Sequence, residues 1–337
     1  MDNPVLVDVM RGPLVESCHR GAVSVVDAEG AVLLSLGDVD QPVFPRSAVK
    51  ALQILPLVHG GAAERLGLTD AEIALAVASH SGEPAHVATA RGMLEKARCD
   101  AACLECGGHW PMDPAAARAL AAEGGTPGAL HNNCSGKHAG FICLACDLGE
   151  DPAGYVRADH RVQGIVRASL EDLTGACHTP DVMGIDGCSI PTYAVPLPSL
   201  AYGFARFGTG VGLTPDCSRA AARIRRAAAA HPFMVAGTGR FDTVLMEALG
   251  ERAFVKTGAE GVYCASLPDL GYGIALKMDD GGTRASQAVM GAVILKLLGL
   301  RDEERSALRT LAQPTLRNWN GIAVGEVRTV GPLTVPA

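Results

Sequence analysis

Phe44-Pro45-Arg46-Ser47-Ala48-Val49-Lys50-Ala51-Leu52-Gln53 is the stretch from which the rest of the chain is best read. Pro45 suits a first helical turn, where its missing N–H is no loss, and Ala48, Leu52 and Leu55 continue at helical spacing into a core. Ser47 and Lys50 then share one face. At that separation a lysine amine comes within reach of the hydroxyl, and the free N–H groups of the first turn add positive potential where an oxyanion would form. These residues are a candidate nucleophile, base and partial oxyanion hole. The bland alternative stands beside that reading, because Ser-x-x-Lys arises by chance and a lysine on a helix is ordinarily just solvated.

A second element far downstream strengthens the catalytic reading. Lys256-Thr257-Gly258 is a Lys-Thr-Gly followed by strand-like sequence, and Ser-x-x-Lys with a distant Lys-Thr-Gly is the pairing of serine penicillin-recognising and β-lactamase-like enzymes.

Working outward, Val5 to Met10, Val15 to His19, Ala22 to Asp27 and Val32 to Leu36 read as antiparallel strands, with Glu29-Gly30 marking a hairpin turn. Helical patterns follow at Asp70 to Ala78, Ala85 to Ala97, a capped Asp113-Pro114 start running to Ala122, Val156 to Leu173, and an Arg-rich helix from Pro215 to about Ala230. Strand character returns at Arg252 to Lys256, Gly261 to Ser266 and Gly273 to Met278, before helices at Ser286 to Leu298 and Glu303 to Ala312. The predicted fold class is α/β of the α+β kind: one antiparallel sheet built from both termini, flanked by helices, with a helical middle lobe. A single domain is expected over 1–337, its sheet lobe about 1–50 plus 235–337 and its helical lobe about 51–234.

Composition narrows the function classes. The 337 residues are 48% hydrophobic, ample for a sizeable core, and a net charge of −7 without a basic block leaves nucleic acid no electrostatic footprint. No basic n-region precedes an apolar run at the N-terminus, and the longest apolar segment, Ala288 to Leu298, is broken by Lys296 and too short for a bilayer. A soluble, cytoplasmic protein with no membrane partner is expected. Eleven cysteines, an odd number without an export signal, argue for reduced thiols.

Other stretches carry candidate chemistry. His131-Asn132-Asn133-Cys134-Ser135-Gly136-Lys137-His138 is the densest polar cluster, just before the apolar run Ala139 to Leu148, and Gly184-Ile185-Asp186-Gly187-Cys188-Ser189-Ile190-Pro191 has the same loop character. Both are equally readable as caps or turns. Cys103-x-x-Cys106 and Cys143-x-x-Cys146 have a spacing that invites a zinc or redox reading, but the gap between the pairs exceeds the usual ribbon spacing and the second pair lies in an apolar helical run. Ser79, His80 and Glu83 follow a helical run and are candidates for a pocket rim.

Taken together, these blocks resemble the L-asparaginase II family of the rhizobial type, carried by 44–53, Ala-Ser-His-Ser-Gly-Glu at 78–83, the loops at 131–140 and 184–191, and Lys-Thr-Gly-Ala-Glu-Gly-Val at 256–262. The resemblance implies hydrolysis of L-asparagine to L-aspartate and ammonia by a homodimer with a serine β-lactamase-like fold. It implies two catalytic Ser-Lys pairs, Ser47 with Lys50 and Ser79 with Lys256. It also implies a zinc site from Cys134, Lys137 and Cys188, with Arg46 and Asp186 close by; these two, with Asn133 and His138, form the expected substrate-binding set. A glutaminase or β-lactam-recognising acyl transferase shares the Ser-Lys logic, and a non-catalytic zinc or thiol-binding protein is the reading from another class. A lysine base must fall from its ordinary value near 10.4 to about neutrality, roughly 4 kcal/mol, which burial and a neighbouring cation can supply.

Overall fold

The computed structural model describes residues 3–335. Three N-terminal strands, β1 (Val5–Arg11), β2 (Leu14–Asp27) and β3 (Val32–Leu36), lead into a helical stretch: α1 (Lys50–His59), α2 (Ala62–Arg65), α3 (Asp70–Ala76), α4 (Pro84–Lys96), α5 (Pro114–Ala122), α6 (Ser135–Asp147) and α7 (Arg161–Thr174). A small hairpin, β4 (Met183–Ile185) with β5 (Pro191–Tyr193), precedes α8 (Leu197–Thr209), α9 (Pro215–Ala230), α10 (Pro232–Val235) and α11 (Phe241–Leu249). The chain returns to the sheet as β6 (Phe254–Thr257), β7 (Val262–Leu267) and β8 (Tyr272–Met278), then closes with α12 (Thr283–Leu297), α13 (Asp302–Ala312), β9 (Thr315–Arg317) and β10 (Ala323–Thr329).

The main sheet runs β6-β7-β8-β2-β1-β10-β9, with β3 also paired to β2. Every pairing in it is antiparallel, and the N-terminal strands β2 and β1 lie between two groups of C-terminal strands, β6-β7-β8 and β10-β9. The sequence reading broke β2 at Arg20-Gly21; the strand instead runs through, pairing β1 with its first half and lying between β3 and β8 with its second. Gly21 makes this possible, since a Cβ there would meet the Lys277 carbonyl oxygen at 2.5 Å. Strands β9 and β10, absent from that reading, complete the sheet beyond β1.

Residues Ala22 to Val26 of β2 are buried without alternation, so both faces of the sheet are covered. Helix α8 packs on β2, β7 and β8, while α12 packs on β1, β7, β8 and β10. The approach of α8 is close: a Cβ on Gly273 would lie 1.8 Å from the Ala201 carbonyl oxygen. Proline and glycine within Leu197-Pro198-Ser199-Leu200-Ala201-Tyr202-Gly203 hid this helix from pattern reading; its Pro falls in the first turn and Gly203 is buried in packing. Helix α7 starts at Arg161, capped by His160, rather than at Val156.

Helix α1 is buried from Lys50 to Val58 and packs against α6, α7 and α9. Pro56 inside it cannot bond the Leu52 carbonyl, and Ser169 Oγ donates to that oxygen at 3.4 Å instead. No helix among the described residues is long and apolar enough to cross a membrane.

Candidate active site

The residues of the opening stretch form a 3₁₀ turn, Arg46–Val49, ahead of α1. Side chains three apart eclipse in a 3₁₀ turn, which keeps Ser47 and Lys50 on one side even though the α-helix begins only at Lys50. Arg46 takes φ +48°, a left-handed conformation costing a non-glycine residue about 1 to 2 kcal/mol. Its guanidinium is anchored to Asp186 Oδ1, with Nε at 2.8 Å and Nη2 at 2.7 Å. The Lys-Thr-Gly segment arrives at the same place because Gly258 has no side chain: a Cβ would stand 2.8 Å from the Pro45 carbonyl oxygen.

Three elements converge on Ser79, in the turn after α3. Lys50 Nζ lies 2.9 Å from Ser79 Oγ and donates to the Ala78 carbonyl at 2.5 Å. Lys256 Nζ, from β6, lies 2.9 Å from the same hydroxyl. Both lysines are fully buried, and Ser79 is 5% exposed, whereas Ser47 is half-buried. Among the described residues no hydrogen bond links Ser47 Oγ to either amine; the serine that touches both lysines is Ser79. A hydroxyl has one proton, so Ser79 can donate to only one of the two amines, and that amine must be neutral. Burial pulls Lys50 below its ordinary value, partly offset by Cys134. Lys256 is lowered to about 7, chiefly by burial and further by Lys50 and Arg240, against the opposing pull of Asp242.

Asp242 is a site residue the sequence reading missed. It lies in the first turn of α11, buried, and accepts from the Thr257 N–H at 3.2 Å; burial holds its carboxyl above the usual range. An aspartate in a first helical turn reads as an ordinary dipole partner, so no local signal marked it.

His80 is also buried and bridges the Ser79 turn to α6. Ser135 Oγ donates to the Leu130 carbonyl, so the His80 Nε2–H donates to Ser135 Oγ at 2.9 Å, leaving Nδ1 to accept from the Gly82 N–H at 3.1 Å. Burial, with His86 and Lys50 nearby, keeps the ring neutral. Glu83, the other rim candidate, accepts from the backbone and hydroxyl of Thr238 at 2.8 and 2.7 Å.

Beside this group lies a sulfur-nitrogen cluster. Lys137 Nζ is 3.1 Å from Cys188 Sγ, and Cys134 lies beside Cys188 and Lys50, which both act on its thiol. All three residues are at most 4% exposed. The hydrogen bond from Cys188, with Lys50 and Lys137, drives the Cys134 thiol well below its ordinary value, while the same bond and burial raise Cys188. Burial opposes the charge on Lys137, but Cys188, Cys134 and Asp186 outweigh it and leave the amine raised. Two thiols and an amine converge here, but thiolate character is favoured only at Cys134; Cys188 and Lys137 hold their protons, so a borderline-soft cation such as zinc fits this trio by displacing both. No group of three His, Cys, Asp or Glu side chains suited to a metal occurs among the described residues, so this trio depends on Lys137 as its third donor.

The remaining expected residues spread around the cluster. Asn133 Oδ1 lies 3.2 Å from Cys134 Sγ. His138 is buried behind, its Nδ1 2.6 Å from the Tyr155 hydroxyl and its Nε2 without a partner. A cleft of about 390 Å³ opens at Arg46, walled by Val43, Phe44, Ile185, Thr192 and Glu260; neither Lys50, Ser79 nor Lys256 lines it. Cys106 is not part of a cysteine quartet, since its Sγ turns to the Ala129 carbonyl at 3.6 Å.

No curated protein matches the chain. Among solved structures it resembles a Bacteroides dorei DSM 17855 protein given the provisional description beta-lactamase, at 14% identity over 79% of this chain and 86% of the other, with a TM-score of 0.37, a likeness too loose to bear on fold or function. Residues 7–329, which include every site residue above, match the family described as L-asparaginase II. The chain belongs to the L-asparaginase II family and is an asparaginase-type amidohydrolase.

Proposed function

We propose that the protein is an L-asparaginase that hydrolyses its substrate through an acyl-enzyme on Ser47. The observation that carries this reading is the bridge Lys50–Ser79–Lys256, two buried amines on one hydroxyl at 2.9 Å each. Lys50, one 3₁₀ turn from Ser47, takes its proton as the hydroxyl attacks the side-chain amide carbonyl. Ser79 passes that proton to the departing nitrogen, and ammonia leaves. Lys256 holds Ser79 in place and, near neutrality, exchanges its own proton with the bridge. Water then enters along the same path and releases L-aspartate. Arg46 and Asp186 offer charges of both signs for the carboxylate and ammonium of a free amino acid.

Cys134, Lys137 and Cys188 would hold a zinc ion, which when bound supplies positive charge that orients the substrate and lowers the pKa of nearby amines. A second reading has Ser79 as the nucleophile, because it is the serine in contact with both lysines.

Acid quenching during turnover of L-asparagine, followed by peptide mapping, distinguishes these readings. An aspartyl ester on Ser47, absent in Ser47→Ala, is expected; an ester on Ser79 establishes the second reading. Failure to release ammonia from L-asparagine overturns the substrate assignment.

A further inference from the structure

Three cysteines outside the active site meet at one surface, where the chain leaving α4 passes the end of α6. Cys99 Sγ lies 3.8 Å from Cys146 Sγ, and Cys103 is near enough to add to the upward shift of the Cys99 thiol. Cys143, one turn before Cys146, faces the same group from below, its Sγ directed to the Met93 carbonyl at 3.5 Å. All of these thiols are free, and Cys99, Cys103 and Cys146 are each partly exposed.

The backbone holds Cys99 there deliberately. Helix α4 ends in a Schellman turn, with the Cys99 N–H donating to the Leu94 carbonyl at 2.9 Å. The left-handed position of that turn, ordinarily glycine, is held by Arg98 at φ +58°. This strained residue turns Cys99 inward against α6. Asp100 then caps the 3₁₀ turn Ala101–Cys103, its Oδ1 accepting from the Ala102 N–H at 2.8 Å, and the turn folds Cys103 back beside Cys99.

From this geometry we propose that Cys99 and Cys146 are an oxidant-sensitive pair that closes to a reversible intramolecular disulfide. The thiols are in van der Waals contact, and a bond of about 2.05 Å requires them to move together by side-chain rotation and a small shift of the loop. With a hydroperoxide as oxidant, the Cys146 sulfur gives up its proton and attacks the peroxide oxygen, the O–O bond breaks, and a sulfenic acid forms while the departing hydroxide takes that proton as water. The Cys99 sulfur then displaces the hydroxyl as a second water and the S–S bond forms, so that two thiols and one hydrogen peroxide give one disulfide and two waters. Burial and its thiol neighbours push the Cys99 pKa up to about 12, so Cys99 is not the thiol that the peroxide oxidises first, and its proton leaves with the displaced hydroxyl as water. A thiol reductant reverses the bond by exchange. The elements it joins are those that carry the site at their other ends: the Ser79 turn precedes α4, and Cys134 precedes α6.

The test uses the full chain, treated with hydrogen peroxide, blocked with N-ethylmaleimide and digested without reduction. Cleavage before Asp100 separates Cys99 from Cys103, and fragment spectra separate Cys143 from Cys146. A Cys99–Cys146 cross-linked peptide that disappears after dithiothreitol is expected, and Cys146→Ser should lack it. Cys99 and Cys146 fully alkylated while exposed Cys18 and Cys177 oxidise would overturn the proposal, as would a Cys99–Cys103 bond in the wild type in place of the expected one. The wild-type map decides the question even if the variant fails to fold.

Discussion

The two ends of α6 carry the same residue type in opposite chemical states. At its start, Cys134 is beside Lys50 and Lys137, and a hydrogen bond from Cys188 with these two cations drives the thiol well below its ordinary value. Near its end, burial pushes the Cys143 thiol up to about 12, with Cys146 and Glu72 adding to the rise and Lys96 opposing it too weakly to offset it. The N-terminal end of a helix also favours an anion and the C-terminal end opposes one. What makes a cysteine a ligand or an inert small hydrophobe is therefore the charge around it. The Cys-x-x-Cys spacing at 143 and 146 says nothing of this, and the more consequential thiol, Cys134, has no close cysteine partner in sequence.

The largest expected effect lies in the lysine bridge beside the Cys134 end, where Lys256 shares Ser79 with Lys50. Lys256→Met should lower kcat/KM for ammonia release by about 10² to 10⁴-fold while circular dichroism stays native, since the amine takes part in proton transfer and its loss also removes a buried charge. In the wild type, Lys256 must be neutral to accept a proton, and its pKa of about 7 lies below its ordinary value. Activity should therefore fall toward acid, about tenfold per pH unit below that value, and level off above it. A kcat/KM profile with its maximum near pH 5 would refute the neutral-lysine base.

A smaller effect separates the sulfur sites directly. Cys134→Ser or Cys188→Ser should strip zinc, read by elemental analysis of protein purified with the metal, and lower kcat/KM by about 10 to 100-fold. Full metal content in both variants would remove the Cys134, Lys137 and Cys188 assignment. The smallest change is expected at the other end of the helix. Cys143→Ala should leave kcat/KM within about twofold and cost about 1 kcal/mol in urea unfolding, the loss of one small buried group. A large activity loss there would erase the contrast between the two ends.

How much of this was legible locally varies by element. The hairpin at Gly30 and the capped start of α5 follow from turn and cap chemistry, and both are present: Gly30 takes φ +93°, and Asp113 accepts from the Ala116 N–H at 2.6 Å. Helix α8 was not legible, because Pro198 and Gly203 break a helical pattern unless a sheet is there to pack against. Strand β9 is three residues long and mostly exposed, and β10 is fully buried only at Val327 and Thr329, so they carry little hydrophobic alternation, and they exist because β1 offers an edge.

By itself the sequence determined the chemical inventory: a Ser-x-x-Lys, a Lys-Thr-Gly and two loops with the cysteines and charges, together with strands at both termini able to share a sheet. These are local properties, set by residue type, spacing and turn propensity. Only the tertiary structure decided that Lys50 and Lys256, 206 positions apart in the chain, both reach Ser79. It likewise decided that Asp242 faces Lys256, and that two amines beside Cys134 favour its thiolate while Lys96 near Cys143 is too weak to offset burial. The physical reason is that burial and charge act through space: an amine loses its proton, and a thiol gains or loses one, according to which side chains the fold brings within a few ångströms, and chain separation carries no record of that distance.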